Sequence, residues 1–220
     1  MKNRWIAGVL AFAAFTGLMT GCGKKDTVSE TETAETTAAA AAETTGNSFI
    51  ITLYPDIAPI TCENFENLVS QGFYNGLTFH RVVDGFMAQG GDPQGTGMGG
   101  SDQTITGEFI VNPNGGIDNK LKHTRGVVSM ARSVEYNSAS SQFFICYTDV
   151  PNLDGSYAAF GKVTEGMEVV DDFLKVERVK GSDGAISSPT KPIVMDSVQM
   201  IEDDADGHPR VQVTMNDFLN

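Results

Sequence analysis

The sequence predicts a mainly β fold, a β-barrel capped by two α-helices, and three observations predict it. Short runs rich in β-branched and aromatic residues recur from Phe49 to Ile201. Glycine is abundant, 24 of 220 residues, most of it between Gly72 and Gly184, as many tight turns require. Only two segments, starting near Pro59 and Met167, carry apolar residues at helical spacing, and they stand far apart in the chain.

The first segment is of another kind. Lys2 and Arg4 open it, Trp5–Met19 is almost wholly apolar, and it closes on Thr20, Gly21 and Cys22. This is the layout of an export signal, too short and too abruptly ended for a good membrane span. Leu18-Met19-Thr20-Gly21-Cys22 resembles a bacterial lipobox, with Met19 where leucine is commoner. The resemblance implies a signal peptide over 1–21, lipidation of Cys22, and an extracytoplasmic protein lipid-anchored to the bacterial cell membrane. Cleavage there removes two cations and no acid, so the net charge goes from -13 to -15. Such a protein would be held by acyl burial and not by attraction to anionic lipid.

Residues 22–47 hold no aromatic residue and a single large apolar one, Val28. They cannot bury enough to offset their ordering entropy and are read as a disordered tether. The folded domain is expected over 48–220. Phe49–Tyr54 reads as a strand, and Pro59 starts a helix reaching Ser70, with Ile60, Phe65, Leu68 and Val69 as its apolar face. Phe79–Val83 and Phe86–Gln89 read as strands broken at Asp84-Gly85, and Gly90–Gly100 as a loop. Gly126–Ala131, Gln142–Tyr147 and Ala158–Val163 read as further strands. Met167–Leu174 reads as the second helix and Ile193–Ile201 as a late strand.

One stretch concentrates the chemistry: Phe79–Asp92, FHRVVDGFMAQGGD. Arg81 stands there among Phe79, Val82, Val83 and Phe86, and a guanidinium is costly among apolar groups without a partner or a task. With Gly95-Thr96-Gly97, Ser129-Met130-Ala131, Ser141–Ile145, Leu153-Asp154-Gly155 and Phe160–Val163, it resembles the cyclophilin signature, in the family's order and near its spacing over residues 49–201. The resemblance implies a closed eight-stranded antiparallel barrel and a peptidyl-prolyl cis-trans isomerase without a cofactor. Its partners would be proline-containing stretches of unfolded or exported proteins, acted on by a monomer.

That reaction needs no nucleophile and no metal. Amide resonance sets a barrier of about 18–20 kcal/mol to rotation. A donor meeting the proline nitrogen as its lone pair localises lowers it, and so does an apolar pocket gripping the ring. By resemblance Arg81 is the catalytic residue, and Gln89 bonds substrate backbone and orients Arg81. Phe86, Met87, Phe144 and Leu153 form the proline pocket, and Ala131 and Arg132 line the groove. Three positions depart from the pattern. Asn152 stands where many eukaryotic members have tryptophan, Tyr157 where they have histidine, and Arg132 where asparagine is common. The tryptophan is tied to tight cyclosporin binding, so weak drug binding is expected.

Other signals are set aside. A net charge of -13 argues against nucleic acid. His80, His123 and His208 lack ligand spacing, so no metal is expected. Gly95–Gly100 lacks the Lys-Ser/Thr of a phosphate loop and is read as a groove-side loop. Cys62 and Cys146 are read as two buried thiols, with a disulfide as the alternative that an oxidising compartment allows. Family members usually carry a strand ahead of the FIITLY segment, and here the tether occupies that place. The tail beyond residue 207 alternates apolar and polar residues, so Arg210–Met215 is expected to supply the first strand from the other end of the chain.

Overall fold

The computed structural model describes residues 46–220. The expected signal peptide, Cys22 and all but the last two residues of the expected tether lie outside the described residues. The elements are β1 (Ser48–Leu53), α1 (Pro59–Ser70), β2 (Thr78–Val83), β3 (Met87–Asp92), β4 (Val127–Met130), β5 (Phe143–Cys146), β6 (Ala159–Glu165), α2 (Met167–Asp172), β7 (Arg178–Lys180), β8 (Ile186–Pro189), β9 (Met195–Ile201) and β10 (Arg210–Met215). Short 3₁₀ turns lie at Pro151–Leu153 and after α2.

Eight strands make one curled antiparallel sheet in the order β2-β3-β5-β4-β6-β1-β10-β9. The expected closed barrel is corrected here: the sheet is not closed. Its end strands meet at one mouth, through a single bridge between Thr78 and Val194 and backbone bonds such as Phe79 N–H to Ile193 O at 2.9 Å. Beyond Ile193 comes Pro192, which has no N–H to donate, and the pairing stops. The β7–β8 hairpin then lies beside β2. Sequence reading missed this hairpin, because strands of three and four residues around Gly181–Gly184 are too short to show a period.

Helix α1 buries Thr61, Cys62, Phe65, Leu68 and Val69, whereas Ile60, expected on that face, is 43% exposed. Its N-terminus has no side-chain cap of its own. The buried Glu108 supplies one from a distant loop, accepting from Ile60 N–H, Thr61 N–H and the Thr61 hydroxyl at 3.1, 2.8 and 2.7 Å. Phe65 meets the rings of Tyr74, Phe143 and Phe160 at 5.0–5.4 Å between centroids, which ties the helix to the sheet. Cys62 and Cys146 are free buried thiols, and burial pushes both up to about 12.

The chain's last strand sits inside the sheet. β10 pairs with β1 from Ser48↔Thr214 to Thr52↔Arg210, and with β9 on its other side. Val211, Val213 and Met215 point into the core. Deleting residues 207–220 should therefore lower the melting temperature by more than about 10 °C or abolish a cooperative transition. Val213→Ala alone should cost about 2 kcal/mol, roughly 4–8 °C. Thermal melts followed by circular dichroism check both, and an unchanged melt for the deletion would exclude a stabilising role for β10.

Candidate active site

The site begins with a break in alternation. In a regular strand Phe79, Arg81 and Val83 would share a face. Here Phe79 and Val82 both enter the core, because the β2–β3 register shifts between Phe79 and Arg81, leaving His80 as the extra residue. Arg81 is thereby turned to the outer face. The bulged His80 is half-buried, with both ring nitrogens shielded from solvent and neither hydrogen-bonded, and burial lowers its basicity.

From Arg81 a row crosses the sheet. Arg81 lies opposite Gln89, Gln89 opposite Phe144, and Phe144 opposite Ser129. Strand alternation does the rest. Ala88, Phe143 and Ile145 go to the main core, while Met87, Phe144 and Cys146 join Val150 and Leu153 in a second apolar cluster. That cluster floors a cavity of about 260 Å³ lined by Arg81, Phe86, Met87, Gln89, Ala131, Arg132, Phe144, Leu153 and Tyr157. Nine of the ten residues expected at the site thus converge. Asn152 does not: it is exposed in the 3₁₀ turn and is not among the lining residues.

Polar bonds fix the rim. An Arg81 Nη1–H points at Gln89 Oε1 (3.5 Å) and at Met87 Sδ (3.7 Å), and the guanidinium carbon lies 5.8 Å from the Phe86 ring centre. Gln89 Nε2–H donates to Gln142 Oε1 at 2.8 Å, and Gln142 Nε2–H donates to Gly99 O at 2.7 Å. Phe86 is positioned by the Asp84-Gly85 turn and by its carbonyl accepting from Tyr147 N–H at 2.9 Å. Gln142 and Asp183, which bonds Arg81 Nε–H at 2.6 Å, were not singled out from sequence. Gln142 stood inside a quoted motif, whereas Asp183 belongs to the hairpin that periodicity did not reveal.

Three supports hold the walls. His123, 1% exposed, stacks on Phe144 with the planes 16° apart. Its Nδ1–H donates to Asp154 Oδ1 and its Nε2 accepts from the Ser129 hydroxyl, both at 3.0 Å. Burial, only partly opposed by Asp154, lowers His123 below the usual histidine range, so the ring is neutral. Burial would raise Asp154, but the two N–H groups of His123 outweigh it and hold the carboxyl below its ordinary range.

The second support is the glycine-rich loop after β3. Its N–H groups turn inward onto the Asp92 carboxylate, which accepts from Gln94, Thr96, Gly97 and Gly99 at 2.6–3.2 Å. Gly95 and Gly97 sit at φ +65° and +83°, which lets the loop wrap one anion of its own chain. Burial opposes these bonds at Asp92, and the bonds win, lowering its pKa.

The third support is Arg132. Its guanidinium lies 4.8–5.4 Å from the ring centres of Phe109, Tyr136 and Tyr157 and donates twice to Ser156 O, at 3.1 and 2.9 Å. The side chain is therefore a clasp between loops as well as a lining residue. A second cavity of about 280 Å³ shares Gln89, Ala131 and Arg132 with the first and extends toward Ser133 and Ser138.

The family model described as cyclophilin type peptidyl-prolyl cis-trans isomerase/CLD matches residues 40–200. A peptidyl-prolyl cis-trans isomerase of Helicobacter pylori is 45% identical over 146 residues, 66% of this chain and 84% of its own. Peptidyl-prolyl cis-trans isomerase B of Bacillus subtilis is 45% identical over 141 residues, 62% of this chain and 93% of its own. A crystal structure of a Cryptosporidium parvum cyclophilin type isomerase, obtained in the presence of the dipeptide Ala-Pro, matches with a TM-score of 0.58 and 30% identity. It covers 69% of this chain and 96% of that one.

The lowered histidines give a pH dependence with a definite sign. A group whose folded pKa is depressed leaves the unfolded chain binding more protons, so stability is full above the unfolded value and falls as pH drops below it. For His80 and His123 the fall starts near the unfolded histidine value of about 6.5 and amounts to at most about 1.4 kcal/mol per pH unit for each ring. Asp92 and Asp154 add a second loss as pH falls below the unfolded aspartate value of about 3.9. Urea unfolding between pH 7.5 and 5 should show the first slope, and His123→Gln should reduce it. A flat profile in the wild-type protein would contradict the neutral, buried ring.

Proposed function

Because the chain belongs to the cyclophilin-type peptidyl-prolyl cis-trans isomerase family and is an isomerase, we propose that it accelerates Xaa-Pro isomerisation in exported proteins, with Arg81 stabilising the twisted amide above an apolar proline pocket. The proline ring enters over Met87, Phe144 and Leu153, between Phe86 and Tyr157. As the C–N bond twists, resonance is lost and the proline nitrogen becomes an acceptor, which a guanidinium N–H at the rim meets. No covalent bond changes, so orientation and charge placement do the work. Gln89, held by Gln142, keeps its Oε1 toward Arg81 and has a second amide hydrogen for substrate backbone. Ala131 and Arg132 line the side along which the peptide runs. The observation that carries this reading is one fixed cation at the edge of a separate apolar cluster.

Several finer points belong to the same proposal. The charged start, apolar run and Cys22 support lipidation and an extracytoplasmic monomer on the bacterial cell membrane. Acylated Cys22 would incorporate labelled palmitate and fractionate with membranes, and Cys22→Ala would abolish both; an unlabelled wild-type protein would end that part of the reading. β10 acts as the family's first strand supplied from the tail: the family match stops at residue 200, and β10, beyond it, pairs with β1. The exposed Asn152 supports weak cyclosporin binding, which Asn152→Trp would tighten.

The central test is proline isomerisation in a short peptide by exchange spectroscopy. The wild-type protein should raise the exchange rate, and Arg81→Ala should lower kcat/KM about a hundredfold. Equal rates for both proteins would sink the role of Arg81. No acceleration by either would favour a binding module that holds proline segments without turnover.

A further inference from the structure

The shortest bond that Arg81 makes comes from outside the signature. Its Nε–H donates to Asp183 Oδ2 at 2.6 Å, across 102 positions of sequence. The two side chains are 29% and 23% exposed, so the pair lies at the surface and is partly screened by solvent. Its other contacts, at 3.5 Å to Gln89 and 3.7 Å to Met87, are at or beyond the long end of hydrogen-bond range. Asp183 is thus the firmest anchor on the guanidinium among the described residues.

Asp183 is itself built to offer one oxygen. It sits in the turn between β7 and β8, closed by Gly181 N–H to Ala185 O at 2.8 Å. Its Oδ1 accepts from Ala185 N–H at 3.0 Å and from the hydroxyl of the buried Ser187 at 2.9 Å. Those bonds engage Oδ1 within the turn and leave Oδ2 facing Arg81. Gly181 makes the arrangement sterically possible, since a Cβ there would stand 2.5 Å from Ser187 Oγ and 3.0 Å from Asp183 Oδ1. The bond from Arg81 is the largest influence on the Asp183 carboxyl and holds it below its usual range. Between the hairpin, His80 and the glycine-rich loop lies a polar cavity of about 390 Å³, lined on one side by Arg81.

Resting on the catalytic role of Arg81, we propose that Asp183 is a positioning residue, through which the β7–β8 hairpin fixes the rotation of the guanidinium and aims its Nη edge into the proline cavity. A long, unbranched side chain has many rotamers, and two anchors on different edges, Asp183 on Nε and Gln89 on Nη1, select one. The carboxylate also offsets part of the positive charge. Orientation outweighs this, because the donor must meet a nitrogen whose lone pair points in one direction.

The test is a double-mutant cycle with kcat and KM read separately by exchange spectroscopy. Asp183→Ala should lower kcat about tenfold and leave KM within about twofold, since the pocket floor is untouched. Asp183→Asn, which keeps one acceptor oxygen, should recover to within about threefold, and Ser187→Ala should show a smaller loss in the same direction. The Arg81→Ala/Asp183→Ala double variant should match Arg81→Ala, because Asp183 acts only through that residue. An Asp183→Ala protein with unchanged or raised kcat, or a double variant slower than Arg81→Ala, would overturn the assignment. A normal rate for Arg81→Ala would instead overturn the catalytic reading on which it rests. Amide signals of β7 and β8 report whether the hairpin persists in each variant, and Ser187→Ala, which leaves the carboxylate in place, carries the test if Asp183→Ala loses it.

Discussion

A single extra residue in β2 governs which way the catalytic candidate faces. Because side chains alternate with period two, a one-residue slip exchanges the two faces of a strand. The bulge at His80 makes that exchange inside the strand, so Phe79 packs in the main core and Arg81, two residues on, stands over the groove. Without it, the sequence Phe79-His80-Arg81-Val82-Val83 would bury the guanidinium or expose Phe79. Everything that surrounds Arg81 inherits this register. Gln89 lies opposite it, Phe144 is next in the row, and Ser129 ends the row where it meets the ring that supports Phe144.

The groove is otherwise walled by loops, and loops need partners for their backbone groups. This acidic chain supplies them with its own carboxylates. Glu108 caps α1 from a distance, Asp92 gathers four N–H groups of the glycine-rich loop, Asp154 braces His123, and Asp183 joins a turn to Arg81. Each anion sits where several donors converge, and that is why Asp92, Asp154 and Asp183 are held below their ordinary range. Carboxylates that would be costly to bury alone become the fixed points around which irregular backbone is ordered.

This division explains what was legible in the sequence. The long strands and both helices show period and composition, so their places could be read, as could Arg81, Phe86, Met87, Gln89, Phe144 and Leu153 from one motif and its companions. The open mouth of the sheet could not, since it depends on how Pro192 meets β2 in space. The β7–β8 hairpin is too short for periodicity, and Asp183 went with it. Arg132 could be placed on the groove but not assigned its clasp, because Phe109, Tyr136 and Tyr157 come together only in the fold. Asn152 precedes Leu153 in the same 3₁₀ turn, yet Leu153 is buried at the cavity while Asn152 is exposed and not part of its lining.

Rotation about an amide asks unusually little of a site chemically and much of it geometrically. No proton must be stored and no nucleophile raised, so the titrating groups near the groove serve support and not turnover. His123 under Phe144 illustrates this: a neutral ring with both nitrogens bonded is a rigid plate, and its charging would disturb the pocket floor rather than supply an acid. The same logic applies to Arg81. A guanidinium keeps its charge at any relevant pH, so the remaining variable is direction. Direction is set by partners on β3 and on the β7–β8 hairpin, elements that are distant in sequence and that both pack against β2.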